Sequence, residues 1–231
     1  MSPRYRLHYA PDNASAIVRL ALEELGQPYE TALVDRRAEA QRSAAYLRLN
    51  PAGRIPVLET PEGPIFETGA ILLWLADRHG DGRMAPAPDA PTRGAFLAAL
   101  FFLANTLHPD LIMCFNTHRY GPEAAETAIR GAAQARVAGH IRLLEGMMPE
   151  RLGGPEPSAL DLYAAFLLRW ARLYPAGAAM EVDLRQTPRL AEMLTRLERR
   201  ESLTRVAMAE GLGPRPFTAP EPANPPEGVA L

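Results

Sequence analysis

The chain has 231 residues, 47% of them hydrophobic and 23% charged, and a formal net charge of -2 at pH 7, which suits one large soluble globular domain or two smaller ones. Its 25 basic residues, all arginine, are interspersed with 27 acidic ones, so the composition indicates no basic surface for nucleic acid or an anionic membrane. The absence of lysine excludes a lysine nucleophile, and the single cysteine, Cys114, excludes an intramolecular disulfide framework and a multi-cysteine metal cluster.

Neither a secretory leader nor a membrane span is predicted. The N-terminal sequence MSPRYRLHYAP lacks an apolar signal core. The longest apolar stretch, 95–107, is shorter than a bilayer-spanning helix and runs into a histidine, a proline and an aspartate, which favours a buried helix. We therefore expect a cytoplasmic protein.

The first part of the chain alternates between strand and helix patterns. Apolar and polar residues alternate over 5–9, which is the period of a half-buried strand, and a loop follows. Helical spacing over 15–25 ends at Gly26, and 29–34 is predicted as a second strand. The polar, alanine-rich stretch 36–49 indicates an irregular surface helix.

The stretch 50–71, NPAGRIPVLETPEGPIFETGAI, combines a turn, a hairpin and the start of a helix. A strand begins at Ile55-Pro56-Val57-Leu58, with proline at the edge position where a strand tolerates it. A cis bond before Pro56 would turn the backbone amide and carbonyl of Ile55 outward, toward an extended peptide ligand. The alternative is an ordinary trans proline that starts an edge strand.

A turn at 61–63 and a short strand at 64–66 lead into a helix that runs to about residue 78. Thr68 lies where this helix begins, so its hydroxyl and the first free amides would face a carboxylate. Glu67 beside it would hold an ammonium group, which gives a site for both charges of an amino acid. The alternative is structural, with Thr68 as an N-cap and Glu67 as an acid that complements the helix dipole.

Strand patterns end with this helix. Glycine, aspartate and proline concentrate in 79–91, which predicts a stiff linker. Ser158 and Asp161 have the spacing of a reciprocal capping box, and Thr187-Pro188 that of an N-cap followed by a first-turn proline. Helices are predicted over 92–119, 123–147, 159–173, 187–200 and 202–209.

The stretch 50–71 resembles the glutathione-binding half of cytosolic glutathione S-transferases, above all bacterial beta-like and nu-like members, in which a cis-proline loop and an acid–hydroxyl pair hold the tripeptide. By this resemblance Ile55 pairs its backbone with the cysteinyl part of glutathione, and Glu67 and Thr68 bind the γ-glutamyl end. His108 is similar to a histidine that beta-class enzymes place near the thiol; alternatively it is a polar residue satisfied near a kink. The glutathione-binding residues implied are Arg54, Ile55, Pro56, Glu67, Thr68 and His108.

The β-α-β-α-β-β-α order of the first part resembles a thioredoxin-like domain, and the family resemblance covers nearly the whole chain. It implies an α/β plus all-α architecture: a thioredoxin-like glutathione-binding domain at 1–80, a linker at 81–91, an all-helical bundle domain at 92–210 and a proline-rich tail at 211–231. The tail has little to bury and is predicted to be extended or disordered, either covering the site or without a role. The family usually forms two-fold dimers, so a homodimer is expected.

The thiol of a bound glutathione would point toward the loop after the first strand, where a transferase needs a hydroxyl, an amide donor or a helix N-terminus to stabilise the thiolate. Tyr9 fits tyrosine-type transferases, Ser15 begins the first helix, and Asn13 is similar to an asparagine that serves a thiolate in related disulfide reductases. Their structural alternatives are core aromatic, N-cap and turn residue, respectively. The position of the beta-class cysteine holds Ala14, which puts covalent thiol chemistry in doubt.

The predicted reaction is attack of the glutathione thiolate on a small hydrophobic electrophile in a cleft between the domains, a detoxification activity with glutathione as co-substrate and no metal. Phe115, Arg119 and Tyr120 would line the electrophile pocket, although aromatic residues at helical spacing are usually core. No nucleic-acid or membrane partner is expected. Two alternatives stay open: a glutathione-dependent disulfide or peroxide reductase that uses Asn13 or Ser15, and a non-catalytic glutathione-binding or structural module.

Overall fold

A four-stranded mixed sheet forms the N-terminal part of the computed structural model, which describes residues 5–147 and 152–230. Its strands are β1 (Tyr5–Tyr9), β2 (Tyr29–Leu33), β3 (Val57–Thr60) and β4 (Gly63–Phe66), in the spatial order β2-β1-β3-β4. β1 runs parallel to β2 and antiparallel to β3, and β3 pairs antiparallel with β4. The alternation of β1 sets its buried side, since Tyr5, Leu7 and Tyr9 are each at most 1% exposed.

The helices of this part are α1 (Ala14–Glu24), the short α2 (Ala44–Leu47) and α3 (Thr68–His79). α1 begins after Asn13, whose side chain accepts a hydrogen bond from the Ala14 amide at 2.7 Å. The predicted irregular surface helix at 36–49 consists of a 3-10 turn at Ala40–Arg42 followed by α2. Strands and helices thus alternate as in a thioredoxin-like domain, and this part of the predicted fold class is confirmed.

Helices alone follow α3 among the residues that the structure describes. They are α4 (Arg93–Phe102), α5 (His108–Phe115), α6 (Glu126–Met147), α7 (Ala159–Leu173), α8 (Pro188–Leu197) and α9 (Glu201–Glu210), with 3-10 turns at Thr117–Arg119, Glu123–Ala125 and Leu184–Gln186. The helical second half of the predicted fold class is confirmed. The exact domain boundaries stay a prediction, and their outer ends at 1–4 and 231 lie outside the described residues.

α7 is the buried centre of the helical part, because every residue of 159–171 is buried. The predicted capping box is confirmed: the Asp161 carboxylate accepts from the Ser158 amide at 2.7 Å, and the Ser158 hydroxyl oxygen accepts from the Asp161 amide at 3.4 Å. Trp170, 2% exposed, and Cys114, fully buried, are core residues as predicted. α7 therefore holds its side chains in fixed positions, including those that contact the loop after β1.

α8 begins at Thr187 and Pro188 as predicted, but a different group caps it. The Thr187 hydroxyl makes no capping bond, and its oxygen has no partner within the described residues. The Glu145 carboxylate of α6 instead accepts from the amides of Arg189 and Leu190 at 3.1 and 2.9 Å. An acid distant in sequence therefore caps this helix, which local spacing could not reveal.

A π-helical segment, Leu103–Leu107, joins α4 to α5, so the long apolar helix is one 23-residue run, Arg93–Phe115. By length and composition it is the one helix in the described chain that could cross a membrane, with a mean hydropathy of 1.5, a test that core helices of soluble proteins also pass. Only 33% of the apolar 18-residue stretch within this helix is buried, and Phe101 is 55% exposed. The predicted buried helix is therefore buried on one face only.

The proline-rich tail packs against the helical part. It has no helix or strand over 213–230, but Phe217 is 1% exposed, and its ring lies edge-on to Phe166 at 5.3 Å. Two arginines of α7, Arg169 and Arg172, donate hydrogen bonds to tail carbonyls, which are those of Leu212, Pro216, Phe217, Thr218 and Glu221. The expectation that the tail has little to bury is wrong, because a buried ring and buried donors anchor it.

Candidate active site

The turn before β3 presents an unpaired stretch of backbone. The Ile55–Pro56 peptide is cis. The carbonyl of Arg54, just before it, accepts hydrogen bonds from the Tyr46 hydroxyl and the Asn50 side chain, both at 2.8 Å, which fix the turn. Within the described residues the amide and carbonyl of Ile55 make no hydrogen bond, so both are available to an extended ligand.

The turn before α3 lies beside this stretch. Val57 of β3 and Phe66 of β4 are paired across the hairpin. Pro56 directly precedes Val57 and Glu67 directly follows Phe66, so both lie at the same edge of the hairpin. The unpaired backbone of Ile55 and the start of α3 therefore form one continuous surface.

α3 begins with free amides and an exposed acid. Glu67, not Thr68, occupies the N-cap position, and its side chain makes no capping bond, so the interpretation of Thr68 as an N-cap is wrong. The φ of Glu67 is 70°, which is rare outside glycine, and such strain concentrates at functional sites. The amides of residues 68–70 have no partner in the described part of the chain, and a helix N-terminus attracts an anion. Both charged groups of an α-amino acid find a complement here.

His108 is the first residue of α5. Its Nδ1 is 2.9 Å from the hydroxyl oxygen of Tyr163, and its ring is tilted against Trp170 with centroids 5.7 Å apart. Burial, and then the positive charge of Arg54, lower the pKa of His108 to about 4, so the ring is neutral at pH 7. Burial raises the pKa of Tyr163, and the charge of Glu67 adds to that effect. These electrostatic effects place both turns near α5 and α7.

Two of the three predicted thiol donors have other partners. The Ser15 hydroxyl is fully buried, donates to the Ala10 carbonyl at 3.0 Å and accepts from the Ala10 amide at 3.2 Å. The Tyr9 side chain is 1% exposed, its hydroxyl donates to Glu227 of the tail, and the Arg19 guanidinium lies 4.3 Å from its ring centre. Burial and the bond to Glu227 raise the pKa of Tyr9 to about 12. Both hydroxyls are thus occupied.

Asn13 is the third candidate, and its side-chain NH₂ group is free. The side chain is partly exposed, and its Oδ1 accepts from the Ala14 amide, which fixes its orientation. The Nδ2 group donates to no residue that the structure describes, so it is available to a ligand. Asn13 also lies at the N-terminus of α1, where the helix dipole favours an anion.

Asp12, the neighbouring residue, holds this loop in place. Its fully buried carboxylate accepts from Nε and Nη2 of Arg169 at 2.9 and 3.0 Å, from Trp170 at 2.8 Å and from Tyr174 at 2.7 Å. Its amide donates to the Glu210 carboxylate at 2.9 Å. These contacts hold Asp12 at a φ of 49°, a conformation that persists only when the surroundings determine it. A buried ion pair therefore fixes the Asn13 loop to the helical part.

The predicted electrophile-pocket residues are not all brought together. The Phe115 ring lies edge-on to Tyr174 with centroids 5.9 Å apart, which places it next to the Asp12 loop. Arg119 follows one turn later, and its charge, after burial, lowers the pKa of the Arg36 guanidinium. Tyr120 is 46% exposed, and within the described chain no side-chain contact joins it to this group. Of the predicted residues, Phe115 alone is thus shown to lie beside Tyr174 and the Asp12 loop.

Comparison with known proteins explains this arrangement. Residues 5–77 match the model of the family described as "Glutathione S-transferase, N-terminal domain". Glutathione S-transferase GST-4.5 of Xanthomonas campestris pv. campestris is 28% identical over 216 residues, which are 90% of this chain and 99% of that protein. Residues 5–77 are thus identified as a glutathione S-transferase N-terminal domain, and the chain as a whole is similar to glutathione S-transferases. The resemblance seen in the sequence is thereby confirmed.

Two further comparisons show how much of the chain is similar to known proteins. A solved glutathione transferase from Burkholderia graminis, with two glutathione molecules bound per subunit, is 26% identical with a TM-score of 0.76, covering 91% of this chain and 90% of that one. A probable elongation factor 1-gamma 2 of Arabidopsis thaliana is 38% identical over only 65 residues, which are 28% of this chain and 16% of that protein. The likeness to the elongation factor is thus confined to a short segment.

Sequence reasoning missed the residues that hold the Asn13 loop in place. Asp12 follows a proline in a loop, which by itself indicates only a turn. Arg169 carried a usable signal, because an arginine inside an otherwise apolar helix needs a buried partner. Among the described residues no cluster of three or more histidine, cysteine or acidic side chains could hold a metal.

Proposed function

We propose that this protein binds glutathione along the edge of the β3–β4 hairpin and transfers it to a small hydrophobic electrophile, as part of detoxification. The observation that carries the proposal is the continuous surface of free donors and acceptors at Ile55, Glu67 and the first amides of α3. The cysteinyl backbone would pair with Ile55, the γ-glutamyl carboxylate with the α3 amides and its ammonium with Glu67. Arg54 and His108 would complete this site, since the two lie near enough for the charge of Arg54 to lower the pKa of His108.

At the thiol end, Asn13 is the proposed donor to the thiolate. Its NH₂ group is free and fixed in orientation, whereas Tyr9 and Ser15 already have partners. A hydrogen bond to the thiolate lowers the pKa of the thiol and holds the nucleophile in place. The thiol proton would leave to solvent, the sulfur would bond the electrophilic carbon, and the leaving group would depart.

A glutathione-dependent disulfide reductase is the second candidate. The free side-chain amide of Asn13 favours this activity as well. Because Ala14 stands at the position of the beta-class cysteine, glutathione itself would be the redox thiol. Assays of both an aryl halide and a mixed glutathione disulfide with the same preparation separate the two activities.

A homodimer in the cytoplasm is the proposed state. Phe66, Phe101 and Leu143 are exposed on β4, α4 and α6 to 37%, 55% and 56%, and large exposed apolar side chains of this kind favour association. Light scattering after size exclusion tests the mass directly, since a monomer at micromolar concentration would contradict the dimer.

The deciding experiment is a calorimetric titration with reduced glutathione. Wild type is expected to bind, and Glu67→Ala to bind at least about tenfold more weakly, because a hydrogen-bonded charge is lost. Glu62→Ala is the matched control, since this acid lies on the same hairpin but pairs with Arg78 instead. No binding to folded wild type would sink the proposal and leave a structural or interaction module.

A further inference from the structure

The peptide unit between Arg54 and Ile55 makes protein hydrogen bonds on one side only. Its carbonyl oxygen accepts from the Tyr46 hydroxyl and from Nδ2 of Asn50, both at 2.8 Å. Its N–H, which belongs to Ile55, donates to no residue that the structure describes. This peptide is trans, and in a planar trans peptide the C=O and N–H bonds point in opposite directions. Holding the oxygen inward therefore aims the N–H of Ile55 outward, at a ligand.

Asn50, the first of the two donors, has one orientation in this turn. Its side chain is buried, and its Oδ1 accepts from the Ala52 amide at 3.0 Å. Its backbone carbonyl accepts from the Gly53 amide at 2.9 Å, which closes the turn around it. Because the Asn50 oxygen is already bonded to Ala52, the NH₂ group of the same side chain is directed at the Arg54 carbonyl.

Tyr46, the second donor, lies on α2 and packs under the sheet. Its ring is buried and forms a small cluster with Val34 and Val57, separate from the main hydrophobic core. Leu58, the residue after Val57 in β3, belongs to the main core instead. Since successive residues of a strand point to opposite faces, Tyr46 supports β3 from the face opposite the main core.

His8 and Glu59 hold the Tyr46 ring in place. His8 is paired with Val57 across β1 and β3, so it lies on the same face of the sheet as the small cluster. The His8 ring is edge-on to Tyr46 with centroids 5.8 Å apart, and its Nε2 is 2.7 Å from Oε1 of Glu59. Burial raises the pKa of Tyr46, so its hydroxyl keeps its proton and acts as a donor.

We propose that Tyr46 and Asn50 are positioning residues for glutathione, because together they hold the Arg54 carbonyl and so aim the Ile55 N–H at the cysteinyl carbonyl of the tripeptide. This inference rests on the proposed glutathione site and adds the residues that orient its central donor. Both act through Ile55. A donor that is oriented before the ligand arrives lowers the entropic cost of binding. Two hydrogen bonds to the carbonyl also strengthen the N–H of the same peptide as a donor.

Calorimetric titration with reduced glutathione tests Tyr46→Phe, which keeps the ring and removes the hydroxyl. This variant is expected to bind at least about threefold more weakly than wild type, because one of the two hydrogen bonds is lost. Tyr29→Phe is the matched control: its hydroxyl donates to Glu23 at 2.7 Å, at the other end of the sheet, where Tyr29 pairs with Tyr5. It should lose similar stability in urea and bind glutathione as wild type does. Unchanged binding by Tyr46→Phe, or equal weakening in both variants, would overturn the inference.

Two further variants separate positioning from a general loss of packing. Asn50→Asp keeps the oxygen that bonds Ala52 but places an acceptor against the Arg54 carbonyl, so glutathione should bind at least about tenfold more weakly. Tyr46→4-aminophenylalanine restores a donor at the tip of the ring and should return the affinity to within about twofold of wild type. Wild-type affinity in Asn50→Asp, or no recovery with the amine, would contradict the assignment. Failure of the proposed function is a separate result, since folded wild type would then not bind glutathione itself.

Discussion

At the proposed γ-glutamyl end of the site, a hairpin and the helix that follows it position Glu67 and the free amides of α3, whereas at the proposed thiol end α7 and α9 hold Asp12. Glu67 is exposed and has no partner within the described residues; Asp12 is fully buried and accepts bonds from three side chains. Local turn chemistry builds the first end, and an ion pair between residues 157 positions apart builds the second. A substitution should therefore change ligand affinity at the first end and folding stability at the second.

The largest effect is expected at Asp12. Asp12→Asn keeps the size of the side chain and tolerates the positive φ, but leaves the buried Arg169 charge without its counterion, so unfolding free energy should fall by about 3–5 kcal/mol. Urea unfolding measures it. Asp35→Asn is the control, because Asp35 is exposed and bonds only its own turn, and it should cost less than about 1 kcal/mol. Equal losses of unfolding free energy for the two variants would contradict the special role of Asp12 in folding stability.

The neutral His108 should make folding stability depend on pH. Its folded pKa is about 4, below its usual value near 6.5, so between these values the unfolded chain binds a proton that the folded protein does not. The contribution of His108 to the unfolding free energy should thus be present in full above about pH 6.5. It should decrease as the pH falls, and about 3 kcal/mol should be lost by about pH 4. His108→Gln should flatten this part of the unfolding profile, while His118→Gln, on an exposed side chain, should leave the slope intact.

Much of the fold could be predicted because its signals are local. The alternation of β1, the capping box of Ser158 and Asp161 and the proline that begins α8 all lie within a few residues of the element that they define. The Ile55 and Glu67 surface could be predicted for the same reason. Asp12 could not, since its partners lie on α7, and neither could the packing of the tail, which depends on Arg169 and Arg172.

Asn13 is the residue that we propose as donor to the glutathione thiolate. Asn13→Asp keeps the oxygen that caps α1 but replaces the free donor with a negative charge, so kcat/KM for 1-chloro-2,4-dinitrobenzene should fall about 10²-fold and the kinetic pKa of the bound thiol should rise. A pH series of kcat/KM measures both. Tyr9→Phe should change kcat/KM less than about threefold, because that hydroxyl is bound to Glu227. The reverse ranking would transfer the role to Tyr9.

The smallest effect is expected at Glu67, where glutathione affinity and folding stability should change in opposite directions. Glu67→Gly relieves a positive φ of 70°, so it should stabilise the fold by about 1 kcal/mol while weakening glutathione binding. Glu39→Gly is a matched control, since Glu39 is also exposed, has a φ of 50° and lies outside the site; it should stabilise similarly without changing affinity. Urea unfolding and calorimetry on both variants give the answer. Weaker binding with higher stability at Glu67 alone would mean that the strain there is retained for the ligand, whereas unchanged binding would reduce Glu67 to a strained turn residue.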